Sequence, residues 1–239
     1  PNRRRRALGA LSSLFLIAAG VPAPAASLDY VGTFVWSGDG DSFGGFSGIE
    51  LNADGRSFHA LTDRAHLYWG SIDRDSQGVI RAMNVAGRVH LKDSKGIPLP
   101  PGYTGDSEGL AIGEDGRIWI SFEGLDRVAR YDDPDARATA LRPPPKGPGM
   151  GLNSGLEALA IRDGTPYAVP ERSGAEDRPF PILTFRDNRW DQAGEIRRDP
   201  RWLPVGADFG PDGWFYLLER DFQGILGFAS RVRRMELTD

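Results

Sequence analysis

The sequence predicts an all-β fold, and within that class a β-propeller of four-stranded blades. A similar sequence pattern recurs four times, and the Asp-Gly pairs at its centre are spaced 61, 48 and 49 residues apart. Fixed periods of this length are typical of stacked or radial units. Each copy shows strand-like alternation rather than helical periodicity, and about four strand candidates fall in each period, which matches one blade. At least four blades are visible, and the pattern is compatible with a fragment of a five- or six-bladed ring.

The N-terminal segment has the three parts of a secretory signal peptide. Four arginines (Arg3 to Arg6) precede an apolar stretch (Ala7 to Val21), and Ala23-Pro24-Ala25 is typical of a cleavage site. We therefore expect residues 1–26 to be removed and residues 27–239 to form the propeller of an exported protein, periplasmic or secreted. The apolar stretch is shorter than the roughly 20 residues of a membrane span, so we expect no stable span in the mature protein. General and twin-arginine export both stay open.

The first repeat illustrates the expected hairpins. Phe46 to Arg64 carries Asp54-Gly55 between two alternating runs, and Asp-Gly supplies the positive φ angles that two-residue turns require. His66 to Ile72 and Ala82 to Leu91 are the next strand candidates of this blade. Tyr30 to Trp36 precedes the repeat, and we expect it to be the strand that closes the ring. Later hairpins are predicted over Ser107 to Gly124, Gly155 to Arg172 and Val205 to Arg220.

Composition limits the classes of function. The net charge of the full chain is −4, and loss of the four arginines of the signal peptide leaves −8. Such an acidic balance argues against a nucleic-acid-binding surface. The chain has no cysteine, so neither disulfides nor thiolate chemistry is expected. We expect a monomer that acts on a small molecule and has no nucleic-acid partner.

Acidic residues recur at matching positions of the repeats. Glu108 and Glu157 precede their Asp-Gly turns by seven and six residues, and a second set of acids follows the turns by seven to nine residues. In a propeller the innermost strands line the central channel, so equivalent residues form a ring. Converging carboxylates without cysteine or histidine favour a hard cation such as Ca²⁺. The predicted metal ligands are Glu108, Glu157, Asp63, Glu123, Glu171 and Glu219, and the first two are also the catalytic candidates.

Three arginines directly follow the second set of acids. Guanidinium groups form bidentate contacts with phosphate, so Arg64, Arg172 and Arg220 are candidate substrate-binding residues for a phosphate ester. A bound cation would neutralise the ester oxygens and activate water, while the arginines would stabilise the developing charge. In the alternative interpretation, the acid-arginine pairs bridge neighbouring blades and are architectural. Because adjacent strand residues point to opposite faces, Glu171 and Arg172 are not expected to face the channel together unless a bulge intervenes.

One match to a serine-hydrolase motif lies in the second repeat. Gly105-Asp106-Ser107-Glu108-Gly109 fits the pattern G-x-S-x-G. That nucleophile elbow requires a strand, a sharp turn and a helix, whereas the residues after Ser107 predict a strand, a turn and another strand. We therefore expect Ser107 to be structural rather than nucleophilic.

Two of the repeats resemble a known family. Asp106-Ser107-Glu108-Gly109-Leu110 and Gly155-Leu156-Glu157-Ala158-Leu159, behind an export signal, look like the bacterial propellers described as phytase-like, with "esterase-like activity of phytase". The resemblance covers residues 28–239. It implies a propeller fold and a calcium-dependent hydrolase of phosphate monoesters. Two alternatives stay open: a non-catalytic binding or scaffolding propeller, and a hydrolase of lactones or carboxyl esters that resembles gluconolactonase-type propellers.

Overall fold

The computed structural model of the chain describes residues 29–145 and 155–237. The chain divides into two compact units, Pro1–Val31 and Gly32–Asp239. In the first unit the described residues, 29–31, have no regular secondary structure, and the predicted signal peptide at residues 1–26 lies outside the described residues. The described part of the second unit forms strands and a single short 3₁₀-helix, Gly224–Leu226.

The second unit is a β-propeller of antiparallel sheets, which confirms the predicted fold class. Four sheets follow one another along the chain, and sequential hairpins join their strands; the first three sheets have four strands, and the described part of the last has three. Among the described residues, no helix has the length and apolar character to cross a membrane. The strands are β1 Phe46–Leu51, β2 Ser57–Thr62, β3 His66–Arg74 and β4 Ile80–His90 in blade 1; β5 Ser107–Ile112, β6 Ile118–Phe122, β7 Arg127–Tyr131 and β8 Thr139–Ala140 in blade 2; β9 Ala158–Arg162, β10 Thr165–Val169, β11 Phe180–Arg186 and β12 Arg189–Ile196 in blade 3; and β13 Leu203–Phe209, β14 Phe215–Phe222 and β15 Phe228–Met235 in blade 4.

The first strand of each sheet lies innermost. β1, β5, β9 and β13 contact one another in that order and border a cavity of about 290 Å³. A Cβ atom at Gly109 of β5 would lie 2.5 Å from Ser121 Oγ and 2.8 Å from the carbonyl oxygen of Glu157. Because glycine has no Cβ, it allows β5 and β9 to approach each other closely at this point.

The Asp-Gly pairs form the turns between the first and second strands of every blade, as predicted. Asp163-Gly164 is a two-residue turn between Arg162 and Thr165, with φ angles of 51° and 71°. The other turns are longer, and within their Asp-Gly pairs only the glycine has a positive φ. Their aspartates accept a hydrogen bond from the backbone N–H two residues later, which stabilises the turn locally; the acceptors are Asp54, Asp115 and Asp212. The expectation of two-residue turns throughout is therefore wrong.

Apolar side chains fill the interfaces between neighbouring blades. Leu61 of blade 1 belongs to the same buried cluster as Ile120 of blade 2. Phe180 of blade 3 packs in another cluster with Phe215 of blade 4. Alternation along each strand supplies these contacts, because side chains of one face enter the interface with the adjacent blade.

The segment predicted to close the ring has a different role. Residues from Tyr30 to Trp36 form no strand, so that prediction is wrong. The ring of Trp36 stacks on Phe46 at 4.7 Å between centroids and meets Phe43 and Phe58 edge-on at 4.9 and 5.2 Å. Aromatic contacts of this kind anchor Trp36 through its side chain rather than through strand pairing.

Candidate functional site

Chain direction brings most of the predicted acidic residues to one mouth of the channel. The innermost strands start at this mouth, and the strands paired with them in the hairpins end there. Glu108 is the second residue of β5, and Glu157 directly precedes β9. Glu123 directly follows β6, whose end pairs with the start of β5. Hairpin pairing therefore places acids from both positions of the repeat at the same end of the propeller.

One backbone hydrogen bond is repeated at this mouth in three blades. In each case the N–H group of the acid after the second strand donates to a carbonyl oxygen just before the innermost strand. This bond fixes the backbone of the acid beside the start of the channel, which explains why the acids recur in register. The pairs are Asp63 with Gly45 at 2.7 Å, Glu123 with Asp106 at 2.9 Å and Glu171 with Gly155 at 3.1 Å.

Three carboxylates form a cluster that can hold a cation, and they belong to Asp106, Glu108 and Glu123. We call this the carboxylate cluster. One oxygen of each residue lies within 4.8 Å of the other two, and all three residues are half-buried. Carboxylate oxygens are the hard ligands that Ca²⁺ and Mg²⁺ prefer, and water commonly completes the coordination shell. The donor set therefore fits a divalent cation of this class.

Burial and mutual repulsion raise the pKa values of these acids. Burial, and then the charge of Glu157, raises the pKa of Glu108 to about 8. Burial and the charge of Glu171 raise the pKa of Glu157 to about 7, against the opposing effect of Arg220. The pKa of Glu123 is also raised, first by burial and then by the nearby carboxylates. The mouth therefore holds more negative charge than the surrounding cationic groups neutralise.

Two of the three predicted arginines reach the acidic mouth. Arg172 Nε lies 3.3 Å from Glu171 Oε2, and Arg220 Nη2 lies 3.2 Å from Glu171 Oε1 and 3.8 Å from Glu157 Oε1. The side chain of Glu171 is 7% exposed, whereas those of Arg172 and Arg220 are 56% and 42% exposed. Both guanidinium groups are thus accessible to a ligand.

The pairing of Glu171 with Arg172 corrects an expectation from strand geometry. β10 ends at Val169, so both residues lie beyond the strand. Alternation of side chains holds only within a strand, and the chain after Val169 is free to direct both groups to the mouth. The expected separation of the two side chains is therefore wrong.

The fourth repeat differs because its second strand continues past the acid. Glu219 lies inside β14, is fully buried, and accepts hydrogen bonds from Arg231 Nε at 2.7 Å and Arg233 Nη1 at 3.3 Å. It shares its face of the strand with Phe215, which packs against blade 3. Alternation then directs Arg220 to the opposite face, toward the mouth. Glu219 is thus separated from the carboxylates at the mouth, contrary to its predicted place among the metal ligands.

Asp63 and Arg64 form the corresponding pair of blade 1. Arg64 Nε lies 3.3 Å from Asp63 Oδ1, and the terminal nitrogens of Arg64 donate to the carbonyl oxygens of Asp41 at 3.0 Å and Gly44 at 3.2 Å. These bonds hold Arg64 against the loop before β1 rather than over the carboxylate cluster. The charge of Asp63 still contributes to the raised pKa of Glu108. Asp63 therefore acts on the carboxylate cluster electrostatically.

Ser107 is a structural residue between blades 1 and 2. Its side chain is fully buried, and its Oγ donates to the carbonyl oxygen of Thr62 at 2.6 Å and accepts from the N–H of Ala65 at 3.1 Å. It lies in β5, and a turn and another strand follow. This confirms the prediction that the G-x-S-x-G match is not a nucleophile elbow.

Asp106 is the site residue that the repeat comparison missed. The residues that accept the equivalent backbone hydrogen bonds in blades 1 and 3 are Gly45 and Gly155, so the repeats carry no acid at this position. A local signal was present, because Asp106 lies two residues before Glu108. Residues at this spacing share one face of an extended chain.

Comparisons with known proteins identify a family for this chain. The sequence profile of the family described as "Phytase-like: Esterase-like activity of phytase" matches residues 41–239, and no curated protein matches the chain at a significant level. Virginiamycin B lyase from Staphylococcus aureus is 12% identical with a TM-score of 0.43, over 80% of this chain and 55% of that protein. A gluconolactonase from Xanthomonas campestris is 15% identical with a TM-score of 0.42, over 78% of this chain and 61% of that protein. The chain therefore spans less than two thirds of either structure's length.

Proposed function

We propose that this chain, which belongs to the phytase-like family, is an ester hydrolase whose reaction takes place at the acidic mouth of the channel. The favoured substrates are phosphate monoesters, and the favoured metal is Ca²⁺. One observation carries the proposal: the carboxylates of Asp106, Glu108 and Glu123 lie at the same mouth as the exposed guanidinium groups of Arg172 and Arg220. A phosphate ester held between a cation and guanidinium groups requires both kinds of charge.

The chemistry of the donor set supports a hard divalent cation. Asp106, Glu108 and Glu123 would supply oxygen ligands. The pKa values of Glu108 and Glu123 are raised first by burial and then by neighbouring carboxylates, and a cation would offset both unfavourable effects on their negative charge. When bound, Ca²⁺ supplies neutralisation of the ester oxygens and polarisation of a water molecule. Protons compete with the cation for the same oxygens, so we expect calcium binding to strengthen as the pH rises through about 8.

The protein groups around this centre have complementary roles. Arg172 and Arg220 would bind the phosphate oxygens, since each retains donors beyond its contact with Glu171. Glu157 has a pKa of about 7, so at neutral pH it is present in both protonation states. A carboxyl group of this kind is suited to accept a proton from the attacking water or to donate one to the leaving alcohol oxygen. We assign Glu157 this proton-transfer role.

We also propose that the protein acts outside the cytoplasm. The basic, apolar and small-residue parts of residues 1–26 support export. The lack of cysteine is compatible with an oxidising compartment, because no thiol is present to form unwanted disulfides.

Thermal melting with and without calcium, combined with turnover of p-nitrophenyl phosphate, tests the proposal. We expect millimolar calcium to raise the melting temperature and to be required for turnover, because a ligand that binds only the folded state stabilises it. Glu108→Gln with Glu123→Gln should abolish the calcium-dependent shift, whereas Glu157→Gln should retain the shift and lose turnover. Glu114→Gln, at an exposed position in the turn after β5, is the matched control.

The alternatives give different results in the same assays. If p-nitrophenyl acetate or a lactone is still hydrolysed after calcium has been chelated, the result would favour a carboxyl-ester or lactone hydrolase. No shift at millimolar calcium and no turnover of any ester would contradict the proposal and favour a non-catalytic binding propeller. If the Glu108→Gln and Glu123→Gln double variant keeps the full calcium-dependent rise in melting temperature, the assignment of the ligands is wrong.

A further inference from the structure

A second charged site lies at the outer side of blades 3 and 4, away from the channel. The segment after β12 and the outer strand β15 border a cavity of about 450 Å³. We call this cavity the arginine groove. Its lining residues are Arg197, Arg198, Asp199, Pro200, Arg231 and Arg233. Four arginines and one aspartate form an unusual concentration of positive charge in a chain whose net charge is −4.

Buried contacts hold two of these guanidinium groups in place. Glu219 is fully buried beneath the groove. Its Oε2 accepts a hydrogen bond from Arg231, and its Oε1 accepts one from Arg233. Arg231 also donates to Asp199 Oδ2 at 2.9 Å, and its guanidinium carbon lies 4.3 Å from the centre of the Trp202 ring. Such fixed side chains lose little further entropy when a ligand binds. The floor of the groove is therefore preorganised.

The other two arginines retain donors without partners in the described part of the chain. Arg198 Nη1 donates to Ser173 Oγ and to the carbonyl oxygen of Ala175, each at 2.9 Å, but its buried Nε has no hydrogen-bond partner within residues 29–145 and 155–237. The side chain of Arg197 is exposed and forms no ion pair with the residues that the structure describes. A buried donor without an acceptor costs stability at Arg198. The exposed guanidinium group of Arg197 is accessible to an incoming oxygen acceptor.

We propose that the arginine groove binds a small tetrahedral oxyanion of the phosphate or sulfate type. Guanidinium forks match the oxygens of such anions bidentately, and the arginines outnumber the acids that neutralise them. The site is separate from the acidic mouth, because Glu219 and Arg220 project from opposite faces of β14. It requires no metal, so it does not depend on the proposed hydrolase activity.

Calorimetric titration with inorganic phosphate tests the groove. The titration is made in chelator at constant ionic strength, which removes any contribution of calcium at the mouth and keeps general screening equal. Arg197→Gln with Arg233→Gln is the test variant. Arg81→Gln with Arg189→Gln changes the net charge equally at exposed arginines of blades 1 and 3, outside the groove, and is the control. We expect at least tenfold weaker phosphate binding in the test variant and unchanged binding in the control.

Arg197→Gln alone keeps the test valid if loss of Arg233 disturbs folding. Because the exposed Arg197 side chain forms no ion pair with any described residue, its replacement should leave the melting temperature unchanged and still weaken phosphate binding several-fold. A sulfate titration identifies whether the site discriminates between the two oxyanions or binds both. Equal phosphate affinity in wild type and the test variant, or no phosphate binding by wild type, would overturn the proposal. The calcium-dependent melting shift should stay intact in every groove variant, so failure of one site is distinguishable from failure of the other.

Discussion

The charge of Glu108 should destabilise the metal-free protein, and its removal should therefore stabilise the fold. In Glu108→Gln the side chain keeps its size and loses its negative charge. Its pKa is raised from an ordinary value of 4.5 to about 8, first by burial and then by Glu157. Between these two pH values the folded protein binds a proton that the unfolded chain does not. The free energy of unfolding therefore falls as the pH rises from about 4.5 to about 8.

The size of the effect follows from the pKa difference. At about 1.4 kcal/mol per pH unit, a pKa of about 8 against 4.5 sets an upper limit of about 5 kcal/mol. Glu108 is half-buried, and solvent screening reduces this to roughly 2 kcal/mol. For a domain of this size each kcal/mol shifts the melting temperature by about 2–4 °C, so the expected rise in Glu108→Gln is about 4–8 °C.

Calorimetric melting in chelator between pH 5 and 8.5 measures this difference. Glu108→Gln should melt higher than wild type at pH 7.5, and the two should converge toward pH 5, where Glu108 is protonated in the folded state. Glu114→Gln, in the exposed turn after β5, should match wild type at every pH. A lower melting temperature in Glu108→Gln, or a difference that does not change with pH, would show that the charge of Glu108 does not destabilise the folded protein.

Two further substitutions test the residues that the structure assigns to architecture. Ser107→Ala should retain ester turnover but lower the free energy of unfolding by about 1–3 kcal/mol, because it removes the two buried hydrogen bonds of the Ser107 hydroxyl group and leaves the N–H of Ala65 with only its 3.2 Å bond to the carbonyl oxygen of Thr62. Loss of turnover in a folded variant would restore a catalytic role. Glu219→Ala should cost about 3–5 kcal/mol in urea unfolding, because it removes the shared partner of Arg231 and Arg233; a cost below about 1 kcal/mol would contradict its buried role.

The fold was predictable because each blade repeats the same local signals. Alternating apolar residues on both sides of Asp-Gly predicted hairpins, and the structure has a hairpin at each of these positions. Turn length was not predictable from Asp-Gly alone, since the aspartate side chain can cap a longer turn as well as adopt a positive φ angle. The structure of the segment before the first repeat was not predictable for a similar reason. The β-branched and aromatic residues of Tyr30 to Trp36 favour a strand, but Trp36 is held by ring contacts instead.

The site was only partly predictable, because sequence register and strand length are independent. Glu123 and Glu219 occupy equivalent positions after their Asp-Gly turns, yet β6 ends just before Glu123 whereas β14 continues through Glu219. An acid beyond the strand end is directed to the mouth, and an acid inside the strand is directed by alternation to one face. Asp106 was missed because it has no counterpart in the other repeats. Repeat comparison finds shared positions, whereas binding sites also use positions that differ between repeats.

The acidic mouth and the arginine groove contain the same types of charged residue. They differ more clearly in the local ratio of arginines to acids. Glu219 is fully buried, but two arginines bind its oxygens, and the groove above it has arginine donors in excess. Glu108 is half-buried, and its pKa is raised first by this burial and then by the charges of the neighbouring carboxylates. Excess acid at the mouth favours a cation or a proton, and excess arginine at the groove favours an anion. The acid of the repeated pattern thus meets other carboxylates at the mouth but arginines beneath the groove, because the position of the strand end in each blade decides which neighbours the acid contacts.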